Sequence, residues 1–202
     1  MNDLDKREVV ALLNRILESE LAGVVRYTHY SLLVFGYHRI PIVSWLREQA
    51  TESLTHAQQA GELITHLGEY PSLAIGPLLD SHKHDVGMIM RESMQHEAAA
   101  LVLYKKLLTA VEGRSVMLEE YARQMIYAEE QHAGEVDKML RRPGDVEASG
   151  LGPSSCLVVL AGDEILSHAA RGSRHGQTGQ READRSGVRG ALYAGRERPP
   201  VG

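Results

Sequence analysis

Glu129 and His132 stand three residues apart in a run that repeats at helical spacing, and on an α-helix such a pair shares one face. The rest of that face is apolar, with Leu118, Ala122, Met125, Val136 and Met139 continuing it at steps of three or four. A carboxylate in a stripe that must face a core is costly unless another charge, a hydrogen-bond network or a metal compensates it. Glutamate beside histidine is ligand chemistry, because carboxylate oxygens are hard anionic donors and imidazole suits iron or zinc. Helix bundles that hold two metal ions use one Glu from each of two helices and a Glu/His pair from each of the other two, so the remaining parts should lie elsewhere in the chain.

They do. Glu20 interrupts the stripe Leu13, Leu17, Val24, Tyr27 and Ser31, and Glu97 interrupts Met90, Met94, Leu101, Tyr104, Leu108 and Val111. His56 lies on the side of Leu46, Ala50, Ser53, Ala57, Ala60 and Ile64, with Glu52 one turn before it. Glu20 precedes His56 by 36 residues and Glu97 precedes His132 by 35, and each of these glutamates is followed seven positions later by a tyrosine, Tyr27 or Tyr104. Seven residues make two turns, which keeps each tyrosine on its glutamate's face, where its hydroxyl can orient a carboxylate. Alone, His56 or His132 would read as a core histidine and the tyrosines as core aromatics with a polar tip. Together, in four helical segments, they point to a site for two iron ions. His96 beside Glu97 could support it, whereas His29, His38, His66, His82 and His84 read as surface or loop residues.

The elements that must position these groups follow from periodicity and breakers. A first helix is expected from about 4 to 35, capped by Asn2 or Asp3. A short break at Gly36 to Pro41 makes the second helix, from about 42 to 67 and ended by Gly68, its antiparallel neighbour. Residues 69 to 81 hold two prolines and a glycine. Extended, such a stretch spans about 40 Å, the length of a helix of roughly 27 residues. It can therefore cross the bundle and set the third helix parallel to the second. Asp80 or Ser81 is expected to cap that helix, which reads on to Val111; Glu112 to Ser115 is a turn, and the fourth helix runs from about 115 to 141.

Composition agrees with an all-α bundle over 1–142 followed by a different kind of chain. Only 5% of the 202 residues are aromatic, and the first 142 residues hold three prolines. Residues 143–202 contain 11 of the 19 glycines, seven acids and seven arginines; apart from Cys156 to Ala161 they offer little for a core, and disorder is expected there. The net charge of −5 argues against nucleic acid as a main partner. One cysteine, no basic leader and no run of about 18 apolar residues point to a soluble cytoplasmic protein with no membrane contact.

On these residues the chain resembles the ferritin-like superfamily, and within it the bacterioferritins. The motifs are Glu20 to Tyr27 in Glu-Leu-Ala-Gly-Val-Val-Arg-Tyr, Thr55-His56-Ala57, Glu97, and Glu129-x-x-His132, within residues 5 to 141. The resemblance implies a ferritin-like four-helix bundle with a long crossover between helices 2 and 3, assembling as a homo-oligomer, a hollow cage in that family. It implies a di-iron centre that oxidises Fe(II) with O₂ or peroxide for iron storage and detoxification. Glu20 and Glu97 would be terminal ligands, Glu129 a bridge, and His56 and His132 one imidazole per iron. Two departures stand out. The family's second bridging glutamate falls at Ser53, one position after Glu52, which shares a face with His56 and is expected to serve as the sixth ligand. The methionine that binds haem in the family is replaced by Leu54, so no haem is expected. The rival readings are a rubrerythrin-like di-iron peroxidase or oxygenase, and a non-enzymatic helical oligomer that protects DNA or binds a partner.

Overall fold

A computed structural model describes residues 4–78 and 85–147 of the chain. Four long helices make up the described part: α1 (Lys6–Leu33), α2 (Arg39–His66), α3 (Val86–Val111) and α4 (Val116–Leu140), with no strand among the described residues. The tail expected from 143 onward lies outside the described residues beyond 147, as do His82 and His84.

Helix ends follow local chemistry, and here the structure corrects the expected caps. Asp5 caps α1, its carboxylate accepting from the backbone N–H groups of Arg7 and Glu8 at 3.0 and 3.2 Å. Asp85 caps α3 in the same way through the N–H of Met88 at 3.0 Å. Asn2, Asp3, Asp80 and Ser81 lie outside the described residues; the acid directly before each first turn takes the role. Gly68 does end α2, with φ of 76°. Its N–H bonds the Thr65 carbonyl at 2.8 Å, and the next N–H, of Glu69, bonds that of Ile64 at 3.2 Å. This paired closure needs a left-handed residue that glycine adopts without a Cβ penalty.

α1 packs along α2, α3 packs along α4, and α1 meets α3 across the bundle, while α2 and α4 face each other over a wider gap. The crossover is strapped to α1. The Ser72 N–H donates to Asn14 at 2.7 Å, the Gly76 N–H to the Glu18 carbonyl at 2.8 Å, and Arg26 donates to the Pro77 carbonyl at 3.1 and 3.3 Å. Its partners thus advance along α1 toward the far end of the bundle, which leaves α3 antiparallel to α1 and parallel to α2. Gly76 is required where it lies, since a Cβ there would stand 2.9 Å from the Glu18 carbonyl oxygen.

The core is two apolar clusters with a polar layer between them. One gathers Leu13, Ile16, Ile64, Leu107 and Leu118; the other gathers Tyr30, Val34, Leu46, Ile89, Met90 and Val136. Met139, expected on the inward stripe, is exposed, because 3.6-residue periodicity has carried the last turn of α4 away from the core by that point. His29 is half-buried rather than on the surface, while His38 and His66 are exposed. No helix among the described residues is long and apolar enough to cross a membrane.

Candidate metal centre

The polar layer holds the residues that sequence spacing picked out. Glu20, His56, Glu97 and Glu129 are all buried, His132 is partly buried, and Glu52 lies at the edge of the layer. Glu20 comes from α1, Glu52 and His56 from α2, Glu97 from α3, and Glu129 and His132 from α4.

Their potential ligand atoms fall into two triads that share one member. Glu20, His56 and Glu129 present atoms within 4.8 Å of one another, and so do Glu97, Glu129 and His132. His56 Nδ1 lies 3.4 Å from Glu129 Oε1 and 3.8 Å from Glu20 Oε1. On the other side, His132 Nδ1 lies 3.9 Å from Glu129 Oε2, and its Nε2 lies 3.2 Å from Glu52 Oε2. Glu129 therefore turns one oxygen toward each half. Oε2 is buried with no hydrogen-bond partner, an unusual state for a carboxylate oxygen unless something else occupies its lone pairs. Three carboxylates and two imidazoles gathered in two triads around Glu129, with Glu52 outside both but against His132, fit a pair of hard cations such as iron.

Two phenols hold the outer glutamates, and they do so crosswise. Tyr104 on α3 donates to Glu20 Oε1 on α1 at 2.8 Å, and Tyr27 on α1 donates to Glu97 Oε1 on α3 in a short hydrogen bond. Each tyrosine shares a face with the glutamate of its own helix but bonds the glutamate of the other, because α1 and α3 run antiparallel and bring position 20 opposite 104 and position 27 opposite 97. The pattern is a pseudo-twofold that orients both carboxylates.

Without metal, the layer keeps its charge low by holding protons. Burial, then the nearby Glu129 charge, push the Glu20 carboxyl up to about 8. Burial and the same charge drive Glu97 well above the usual carboxylate range. Glu129 goes the other way: burial opposes its ionisation, but hydrogen bonds from Glu97 and His56 and the charges of His56 and His132 hold it below the ordinary value. For His56 burial disfavours the charged form, yet its hydrogen bond to Glu129 and the surrounding carboxylates outweigh that and raise its pKa. The shifts thus run in opposite directions, Glu129 favouring its charged form and Glu20 and Glu97 their protonated forms, and a divalent cation would compete with those protons.

Several neighbours escaped the sequence reading. Gly23 of α1 touches Ser53 of α2, and no spacing rule marks that contact. Tyr121 packs its ring on Tyr104 at 6.2 Å, and Tyr30 bonds Glu92 at 2.9 Å. Of these, Tyr30 alone was open to detection, as an aromatic three residues after Tyr27. His96 is partly buried against Tyr27, its pKa driven down to about 4 by desolvation and by the charge of Arg26. Leu54 lies on the outer side of α2, partly exposed.

The model of the ferritin-like domain matches residues 10–143, which span all four helices and every residue of the two triads. The chain belongs to the ferritin-like family. No curated protein matches the chain. Among solved structures, ferritin-like di-iron carboxylate proteins from Bacillus anthracis superpose with a TM-score of 0.63 at 25% identity, over 69% of this chain and 99% of theirs. A dodecameric thioferritin from Bacteroides fragilis, a bacterioferritin-related protein, gives 0.62 at 19% identity over 83% of this chain and 94% of its own. The bacterioferritin of Rhodobacter capsulatus gives 0.59 at 21% identity over 66% and 84%. The last two likenesses carry the fold and no more, so the ferritin-like family is the level at which the chain is identified.

Proposed function

We propose that this ferritin-like chain is a ferroxidase of bacterioferritin type, which oxidises Fe(II) for storage and detoxification. One observation carries the reading: Glu129, buried between the helices, turns one oxygen to each triad and leaves Oε2 without a hydrogen-bond partner. In this reading two iron ions would bind per chain, and Glu129, common to both triads, would serve both. Glu20 and His56 hold the first, and Glu97, His132 and Glu52 hold the second. Leu54 cannot replace a thioether ligand, so the protein carries no haem. In this reading the chain forms a homo-oligomer, as the dodecameric bacterioferritin-related neighbour of the same fold does, here a cage that receives the ferric product. The single Cys156 fits a cytoplasmic protein.

Iron is substrate as well as occupant. Each of two Fe(II) ions gives up one electron; the pair reduces O₂ with two protons to hydrogen peroxide, or hydrogen peroxide with two protons to water. The carboxylates favour the harder ferric state. Tyr104 and Tyr27 hold Glu20 and Glu97 in place while the charge on the centre changes. Burial excludes bulk water and strengthens each of these contacts.

The test is metal content and Fe(II) oxidation on purified protein, wild type against Glu129→Ala, with particle size read on the same samples. About two irons per chain, rapid oxidation lost in the variant and a large particle support the reading. Two irons with slow oxidation in a small oligomer would favour a peroxidase or oxygenase instead, and no bound metal would leave a structural bundle.

A further inference from the structure

Gly23 lies one turn beyond Glu20 on α1, against Ser53 of α2. A Cβ at that position would stand 2.7 Å from Ser53 Oγ, 3.2 Å from Ser53 Cβ and 2.9 Å from His96 Nε2. The missing side chain at 23 and the small one at 53 together let the two helices approach. Ser53 is consequently buried against α1. One residue earlier on α2 is a turn of about 100°, which carries Glu52 away from α1 and toward α4. Glu52 Oε2 there reaches to 3.2 Å from His132 Nε2. His56, about 60° from Ser53 in the same sense, also faces α4, and its Nδ1 reaches Glu129 at 3.4 Å.

We propose that the Gly23–Ser53 contact fixes the rotation of α2 and so selects Glu52, rather than position 53, as the α2 carboxylate that serves the second metal position. Gly23 and Ser53 are then positioning residues that touch no metal. A carboxylate at 53 would be driven into the space between Gly23 and His96, while the rotation that buries Ser53 brings Glu52 and His56 to α4 as a pair separated by four residues. The inference rests on the iron-centre reading above and adds to it how one of the ligands is chosen.

The experiment is anaerobic Co(II) titration followed by visible absorption, on wild type, Gly23→Ala and the double variant Gly23→Ala/Ser53→Gly, with a thermal melt of each metal-free protein as a check on the fold. Wild type should take up two equivalents. Gly23→Ala should keep the first and bind the second about tenfold more weakly or worse, the size expected when the support of a ligand is disturbed. In the double variant the Ser53 Cβ and Oγ leave the space that the new methyl enters, and the remaining close atom, His96 Nε2, is the far end of a side chain that can turn away, so the second equivalent should return. Gly23→Ala that binds both equivalents as wild type does, or loses both equally, overturns the inference; so does a double variant no better than the single one. Wild type that binds no cobalt overturns the iron-centre reading and this inference with it, whereas two equivalents in wild type with an unchanged Gly23→Ala overturns this inference alone.

Discussion

The two halves of the candidate centre differ in how firmly the protein encloses them. The half built on Glu20 and His56 is closed: both side chains are less than a tenth exposed, and Tyr104 bonds Glu20 from behind. The half built on Glu97 and His132 is buried on its α3 side but opens through the gap between α2 and α4. There the side chain of His132 is 16% exposed and that of Glu52 38%. Packing explains the asymmetry, since α1 and α2 press together at Gly23 and Ser53 while α2 and α4 do not meet as closely. In the proposed function the closed half would hold its ion more firmly, and the open half would be the side through which ions exchange with solvent.

Substitutions can break that contrast in order of size. Glu129 serves both halves, so Glu129→Ala should remove both metals and lower Fe(II) oxidation more than about 100-fold, read by metal analysis and stopped-flow absorbance. His56→Ala should weaken the closed half by about 100-fold, whereas Glu52→Gln should weaken only the second equivalent by about tenfold. Equal losses in a metal titration would remove the distinction between the halves. Tyr104→Phe deletes a single hydrogen bond to Glu20 and should cost the first equivalent several-fold, about the lower end for a supporting contact.

Acidity sharpens the comparison further. Glu20 titrates near 8 in the folded chain against 4.5 for the ordinary side chain, so between those values the unfolded chain has released a proton that the folded one keeps. The stability of the metal-free protein should fall as pH rises through that window, and the raised pKa of His56 acts in the same direction. Metal affinity should change the opposite way, weakening as pH drops, because protons and cations compete for the same oxygens. Melting curves at several pH values, with and without metal, check both slopes; parallel slopes would contradict the proton-filled layer.

Much of this was legible in the chain because it depends on local periodicity. Glu20, Glu97, Glu129 and His56 each interrupt an apolar stripe, and a stripe that must face a core carries its polar members inward with it. The crossover could be read because prolines and a glycine exclude a helix and leave a length that spans the bundle. What the chain does not display is how neighbouring helices turn toward each other. That Tyr27 bonds Glu97 and Tyr104 bonds Glu20 depends on α1 and α3 running antiparallel in register, and the facing of Glu52 toward His132 depends on the contact at Gly23. The caps differ from expectation for a simpler reason: several polar residues near each helix start, Asn2 and Asp3 or Asp80 and Ser81, have the same capping chemistry, and only backbone geometry separates Asp5 and Asp85 from them.

The crossover also divides the chain into two helical hairpins, α1 with α2 and α3 with α4, each closed by a short connection. Hairpins of this kind rest on near-neighbour contacts and form quickly, while docking one on the other must close the long connection between them. Glu20, Glu52 and His56 belong to the first hairpin; Glu97, Glu129 and His132 belong to the second. The triad of Glu20, His56 and Glu129 exists only once the hairpins have docked, whereas Glu97, Glu129 and His132 all lie on the second hairpin, so an ion in the first triad ties the two hairpins together. Bound metal therefore acts by mass action on assembly: at 100 times its dissociation constant it adds about 2.7 kcal/mol to the docked state. Iron supply would then govern how long the folded chain survives as well as how much ferric product it makes.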